Sequence, residues 1–166
     1  MRAGNVRDRQ AAAYLTCPHP GPAIMTEITF YFNAPDKLGT ARVLAAKALA
    51  SRRKLLIYTS DRRTLNALDS LLWTTPETGF VPHCLATDGH ADQTPILLSG
   101  DPEAMPHHEI LMNLDDQRPA LFSRFDRLIE IVSRDDLDDR RRARERFKFY
   151  RDRGYEIRRH DLDVRT

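Results

Sequence analysis

The chain has 166 residues, 41% hydrophobic and 30% charged, with a mean hydropathy of −0.54, which fits one solvated globular domain. No apolar run approaches the roughly 18 residues that span a bilayer, and the opening MRAGNVRDRQAAAYL lacks the apolar stretch of a secretory signal. A cytoplasmic protein with no membrane partner is therefore expected. The net charge of +2 is unevenly spread: Met25–Asp139 holds 12 basic and 18 acidic residues, whereas Arg140–Thr166 holds 11 basic and 5 acidic. Such asymmetry points to an anionic partner for the C-terminal end.

Residues 1–24 contain TCPHPGPAI, with three prolines, a glycine and no periodicity. They are expected to be a disordered extension or the product of a mis-assigned start, with a single α/β domain over 25–166. Ile28–Phe32 (ITFYF) has the β-branched and aromatic content of a strand. Leu38–Ser51 has helical spacing, with Leu38, Val43, Leu44, Ala46, Leu49 and Ala50 on one face. Leu55–Tyr58 (LLIY) follows a basic triplet as a buried central strand should. Ser60 or Asp61 can cap the next helix, which carries Leu65, Leu68, Leu71 and Leu72 up to Trp73.

Thr75–Gly79 reads as a turn and Phe80–Pro82 as an extended piece. Ile96–Leu98 and Glu109–Leu114 predict two strands separated by a loop over Gly100–Pro106. Pro119–Phe125 predicts a short helix and Leu128–Val132 another strand. Ser133, with Asp136 three places on, predicts the start of the last helix, which Gly154 should end as a left-handed cap. Strands and helices in this alternation predict a three-layer, Rossmann-like α/β domain with a mostly parallel central sheet.

That fold raises the question of a nucleotide site. The loop after the first strand, Asn33–Thr40, has one glycine, Gly39, where a dinucleotide fingerprint needs three. The loop after Tyr58 has none, and no GxxxxGK[ST] occurs. Cys17 and Cys84 have no paired spacing, so two reduced thiols are expected. His107 and His108 are adjacent, and no third ligand stands at a metal spacing. His83 reads as a packed or hydrogen-bonded histidine, and His90 and His160 as surface residues. Cys84 beside His83 makes no triad, and the GxSxG elbow is missing. No cofactor, no metal and no catalytic residue are expected.

The segment from Arg140 to Tyr150 is the informative one. On a helix, Arg141, Arg144, Lys148 and Arg151 form one cationic ridge, beside an apolar stripe of Ala143, Phe147 and Tyr150. Three readings are open: a solvated basic face, a direct nucleic-acid-binding module using Arg140–Arg142, or a site for an acidic peptide with an apolar anchor.

The run ARERFKFYRDRGYE is similar to the C-terminal signature of the chi subunit of bacterial DNA polymerase III, ARER[YWF]KxYRxxG. LDSLLWTTPETGFVPHCLA resembles the same family's LDxxLWxxxxxxFxPHxLA, and ITFYF, a helix and KLLIYTSD resemble its opening; together they cover most of 25–155. The resemblance implies a non-catalytic adaptor in DNA replication. Members hold the acidic C-terminal tail of single-stranded-DNA-binding protein, link it to the clamp loader through the psi subunit, and meet DNA only indirectly. By motif position Val132, Arg144, Phe147 and Lys148 would line the tail pocket. Trp73 and Phe80 would form the interface for psi, or for a helicase that uses the same surface. Phe147 stands where tyrosine is often found, so a ring hydroxyl contact would be lost. Asp101–His108 and Tyr155–Thr166 lie outside the resemblance.

Overall fold

Seven strands, all parallel, form one sheet in the order β3-β4-β2-β5-β6-β1-β7 in the computed structural model, which describes residues 25–74 and 80–163. The expected extension over 1–24, with Cys17, and the turn at 75–79 lie outside the described residues. In chain order the elements are β1 (Glu27–Ala34), α1 (Lys37–Ala50), β2 (Leu55–Tyr58), α2 (Arg62–Thr74) and β3 (His83–Leu85). There follow β4 (Ile96–Ser99), β5 (Ile110–Asn113), a 3-10 turn at Phe122–Arg124, β6 (Arg127–Ser133), α3 (Leu137–Asp152) and β7 (Ile157–Asp161).

Strands β2, β4 and β5 are buried along their whole length. Their short apolar runs, LLIY, ILLS and ILMN, suit positions covered on both faces. Alternate residues then point to opposite layers. Leu55, Ile57, Ile110, Met112, Ile129 and Ile131 pack under α1 and α2, meeting Ala41, Leu44, Ala45, Leu68 and Leu72. Ile28, Phe30, Leu111, Leu128 and Val132 pack on the other face, against Ala143 and Tyr150 of α3 and the rings of Phe122 and Phe125. The result is the expected three-layer, Rossmann-like fold.

Several local expectations need correction. Val43 (40% exposed) and Ala50 lie outside the core, while Ala41 and Ala45 are fully buried: helix α1 sits close to the sheet and seats alanine against it. Asp61, not Ser60, caps α2, accepting from the Arg63 and Thr64 N–H groups. The last helix starts later than Ser133. Ser133 still pairs with Ala34 as the final residue of β6. Asp136 is the cap, accepting from the Asp138 and Asp139 N–H groups. Gly154, at φ +81°, ends α3 as expected. The extended piece at Phe80–Pro82 leads into β3, which begins only at His83. Strand β7 had no counterpart in the sequence reading.

Candidate functional site

The site is built on four elements, β6, β1, β7 and α3, that meet near the β7 edge of the sheet. In β1, Phe30 and Phe32 are two apart, so both side chains lie on the α3 face, where their rings stack at 5.4 Å. Phe30 is fully buried; Phe32 is half-buried. Phe147 of α3 sets its edge on Phe30, with centroids 5.3 Å apart, and stays half-buried beside Phe32. Strand β7 supplies Arg159, whose guanidinium carbon lies 4.5 Å from the Phe147 ring centroid.

Two adjoining depressions, each of about 400 Å³, open around these rings and share Phe32, Arg144 and Arg159. Val132, Arg140 and Asp161 complete one, with Asn33; Phe147, Lys148 and Arg151 complete the other. Arg144 and Lys148 are exposed, and among the described residues neither has a carboxylate or hydrogen-bond partner. The site therefore offers an apolar ring at its floor and cations with unspent hydrogen-bond donors at its rim. Such a surface accommodates a carboxylate together with a neighbouring apolar group.

A buried polar network fixes the rotation of α3. Asp139, Ala143, Arg146 and Tyr150 recur at helical spacing and form its buried stripe. Glu130 of β6, fully buried, accepts from Arg146 Nε at 3.1 Å, from the Tyr150 hydroxyl at 2.9 Å and from Asn113 Nδ2 at 3.2 Å. Arg146 also donates to the Asp116 carbonyl at 2.7 Å. Burial pushes the Glu130 carboxyl above the ordinary glutamate range, against the pull of Arg146 and the Tyr150 and Asn113 hydrogen bonds. With the stripe so fixed, Arg144, Phe147 and Lys148 turn toward the groove.

All four residues expected at the tail pocket, Val132, Arg144, Phe147 and Lys148, line these depressions. Of the expected cationic ridge, Arg141 falls outside, contacting Asp138 at 3.4 Å. Arg142 pairs with Asp116 at 2.7 Å, and Arg140 reaches the Arg134 carbonyl at 3.4 Å. The sequence reading missed Phe32, whose facing follows only from the register of β1, and the contributions of β7.

Trp73 and Phe80 lie far from this groove, beside the edge strand β3. They are 60% and 59% exposed, and their rings meet at 5.1 Å. Trp73 rests edge-on against His83 at 5.2 Å. His83 is held by the Val81 carbonyl at Nδ1, 2.7 Å away, and by Asp69 at Nε2, 3.1 Å away. β3 and β7 are the opposite edges of the seven-stranded sheet, about 29 Å apart at about 4.8 Å per strand, with Trp73 beside the one and the groove at the other.

At the start of α1, where related folds seat phosphate, the N-cap is Asp36, whose carboxylate opposes an anion there. Among the described residues no group of three or more His, Cys, Asp or Glu side chains is placed to hold a metal. No helix among them is long and apolar enough to cross a membrane.

Residues 25–158 match the family model described as DNA polymerase III chi subunit, HolC. The chain is 31% identical over 143 residues to the DNA polymerase III subunit chi of Pseudomonas aeruginosa, covering 83% of this chain and 98% of the relative. To the subunit chi of Escherichia coli it is 29% identical over 142 residues, covering 80% and 96% respectively. Among solved structures it resembles the C-terminal domain of Saccharomyces cerevisiae Dbp5, seen bound to Gle1 and IP6, with a TM-score of 0.56. That match covers 84% of this chain and 92% of the other at 14% identity, a likeness of fold alone. With the family model matched from β1 through α3 to the start of β7 and relatives aligned over nearly their full length, the chain belongs to the family of the chi subunit of DNA polymerase III.

Proposed function

We propose that the chain is a non-catalytic adaptor of the DNA polymerase III holoenzyme in the cytoplasm, with residues 25–166 acting as one domain. The groove between α3 and β7 takes the acidic C-terminal tail of single-stranded-DNA-binding protein. Arg144 and Lys148 hold its carboxylates, and Phe147 with Val132 receives its apolar terminal residue. Trp73 and Phe80 dock on psi, and through it on the clamp loader, or on a helicase that uses the same surface.

One observation carries this reading: Arg144 and Lys148, free of internal carboxylates among the described residues, flank a half-buried phenylalanine ring. A solvated basic face needs no ring, and an acidic peptide with an apolar end covers the ring while its carboxylates meet the cations. The competing nucleic-acid reading rests on Arg140–Arg142, and two of those three are engaged with Asp138 and Asp116. The separation of the two candidate surfaces allows both partners to be held at once, as an adaptor requires.

The test is a calorimetric titration of the full chain with the tail peptide, alongside Arg144→Ala and a peptide lacking its final residue. Saturable 1:1 binding weakened by both changes is expected. No binding at low salt removes the reading.

A further inference from the structure

Within a groove lined by arginines stands one carboxylate. Asp161, in β7, lines the same depression as Arg140, Arg144 and Arg159, yet forms an ion pair with none of them. Its Oδ1 is taken from two sides: Asn33 Nδ2 donates at 2.9 Å, and the Asp163 N–H donates at 2.9 Å. Oδ2 has no partner among the described residues.

The clamp on Oδ1 depends on an unusual piece of backbone. Asn33 sits at φ +60°, in the register break between Tyr31 and Ala34 where β1 leaves its ladder with β6. The left-handed conformation is uncommon outside glycine and asparagine is among the residues that tolerate it. The bulge carries the Asn33 amide across to β7 and pins the Asp161 carboxylate away from the guanidinium groups beside it. The same two hydrogen bonds hold Asp161 below the ordinary carboxylate range, so it is ionised at neutral pH.

We propose, on the strength of the tail-binding reading, that Asp161 is a specificity residue of this groove: Oδ2 accepts an N–H from the ligand, which admits a peptide and turns away a phosphodiester chain. A peptide brings carboxylates for the arginines and backbone N–H groups for Asp161. The backbone of a nucleic acid brings anionic oxygens, its N–H groups lying out on the bases, so the phosphates that meet the cations also meet a fixed like charge. Discrimination thus comes from a repulsive element placed among attractive ones. This matters for a protein whose partner is a single-strand binder, because the strand itself is a nearby competing polyanion.

The experiment compares the full chain with Asp161→Asn, which keeps shape while replacing the open acceptor by a neutral amide. Binding of the tail peptide and of a single-stranded oligonucleotide is measured at the same low salt. Asp161 is exposed, so the variant is expected to unfold at the wild-type temperature. The oligonucleotide should bind about threefold more tightly and the peptide about threefold more weakly, moving the preference about tenfold. Equal tightening of both ligands makes Asp161 a mere charge brake and overturns the inference while leaving tail binding intact. So does an unchanged preference. If the wild-type chain binds no peptide, the tail-binding reading falls and the inference falls with it.

Discussion

Arg159 lies over the ring of Phe147, its guanidinium carbon 4.5 Å from the centroid, so the last strand of the sheet and the last helix meet through one cation–π contact. With Arg159 exposed, a contact of this kind contributes about 0.5–1 kcal/mol. In a double-mutant cycle of Arg159→Ala and Phe147→Ala, urea unfolding should show a coupling of about 0.5–1 kcal/mol. Additive losses would mean that the two side chains are neighbours without being partners.

Phe147→Ala also removes the floor of the groove. Tail-peptide affinity should fall by about 2 kcal/mol, roughly thirtyfold. Phe147→Leu, which restores part of the apolar surface, should recover part of the loss in the same titration. Wild-type affinity in both variants would show that the ring surface plays no part in binding.

Trp73→Ala separates docking from folding. The indole is 60% exposed, so stability should change by no more than about 1 kcal/mol, chiefly through its lost contact with His83. Binding to the psi subunit should drop by about 2 kcal/mol or more, because exposed aromatic pairs are frequent interface anchors. Co-purification of the two subunits with wild type and variant would decide the matter; undiminished capture would assign the surface elsewhere.

Glu130 gives stability a definite pH dependence. Its carboxyl is held above the ordinary range when folded, so the folded chain keeps that proton to higher pH than the unfolded chain. The contribution is therefore complete below the unfolded value near 4.5 and is lost as pH rises through the folded value. Glu130→Gln abolishes the titration. The urea midpoint of wild type relative to this variant should fall as the pH is raised from about 4 to about 8. A rising difference would mean that the attraction of Arg146 outweighs burial.

The two candidate caps of α3 can be told apart by substitution. Asp136→Ala removes an acceptor for two N–H groups and should cost about 1 kcal/mol. Ser133→Ala removes only a 3.4 Å contact to the Asp136 N–H and should cost a few tenths. Thermal unfolding of the two variants gives the order, and a reversed order would return the helix start to Ser133.

Arg144, Phe147 and Lys148 were legible in the sequence because their spacing is a helical one within a specific signature, and Val132 only through the family resemblance. Arg146 was not. In a run of arginines nothing marks one of them as the partner of a buried glutamate, except its place on the stripe with Ala143 and Tyr150. Strand β7 was invisible for a different reason. IRRHD has a single apolar residue and is exposed almost throughout, so its extended form comes from pairing with β1 rather than from its own pattern. Arg159 and Asp161 were hidden along with it. The helix start was misread because Ser133 and Asp136 have the same local chemistry, and only the continuing β6 ladder separates them.

The position of β1 has a consequence for synthesis. Among the described residues, the first strand made is flanked in the sheet by the last two, β6 and β7. It waits, unpaired on both sides, until nearly the whole chain has left the ribosome. Pairings of such long sequence separation form slowly. The groove takes residues from β1, β6, α3 and β7, so a nascent chain displays no part of it in working order. A truncated product ending before Ile157 would leave the ribosome with Phe32 and Phe147 uncovered on one side. Such a fragment would lack the β7 side of the groove altogether, not hold a weakened version of it.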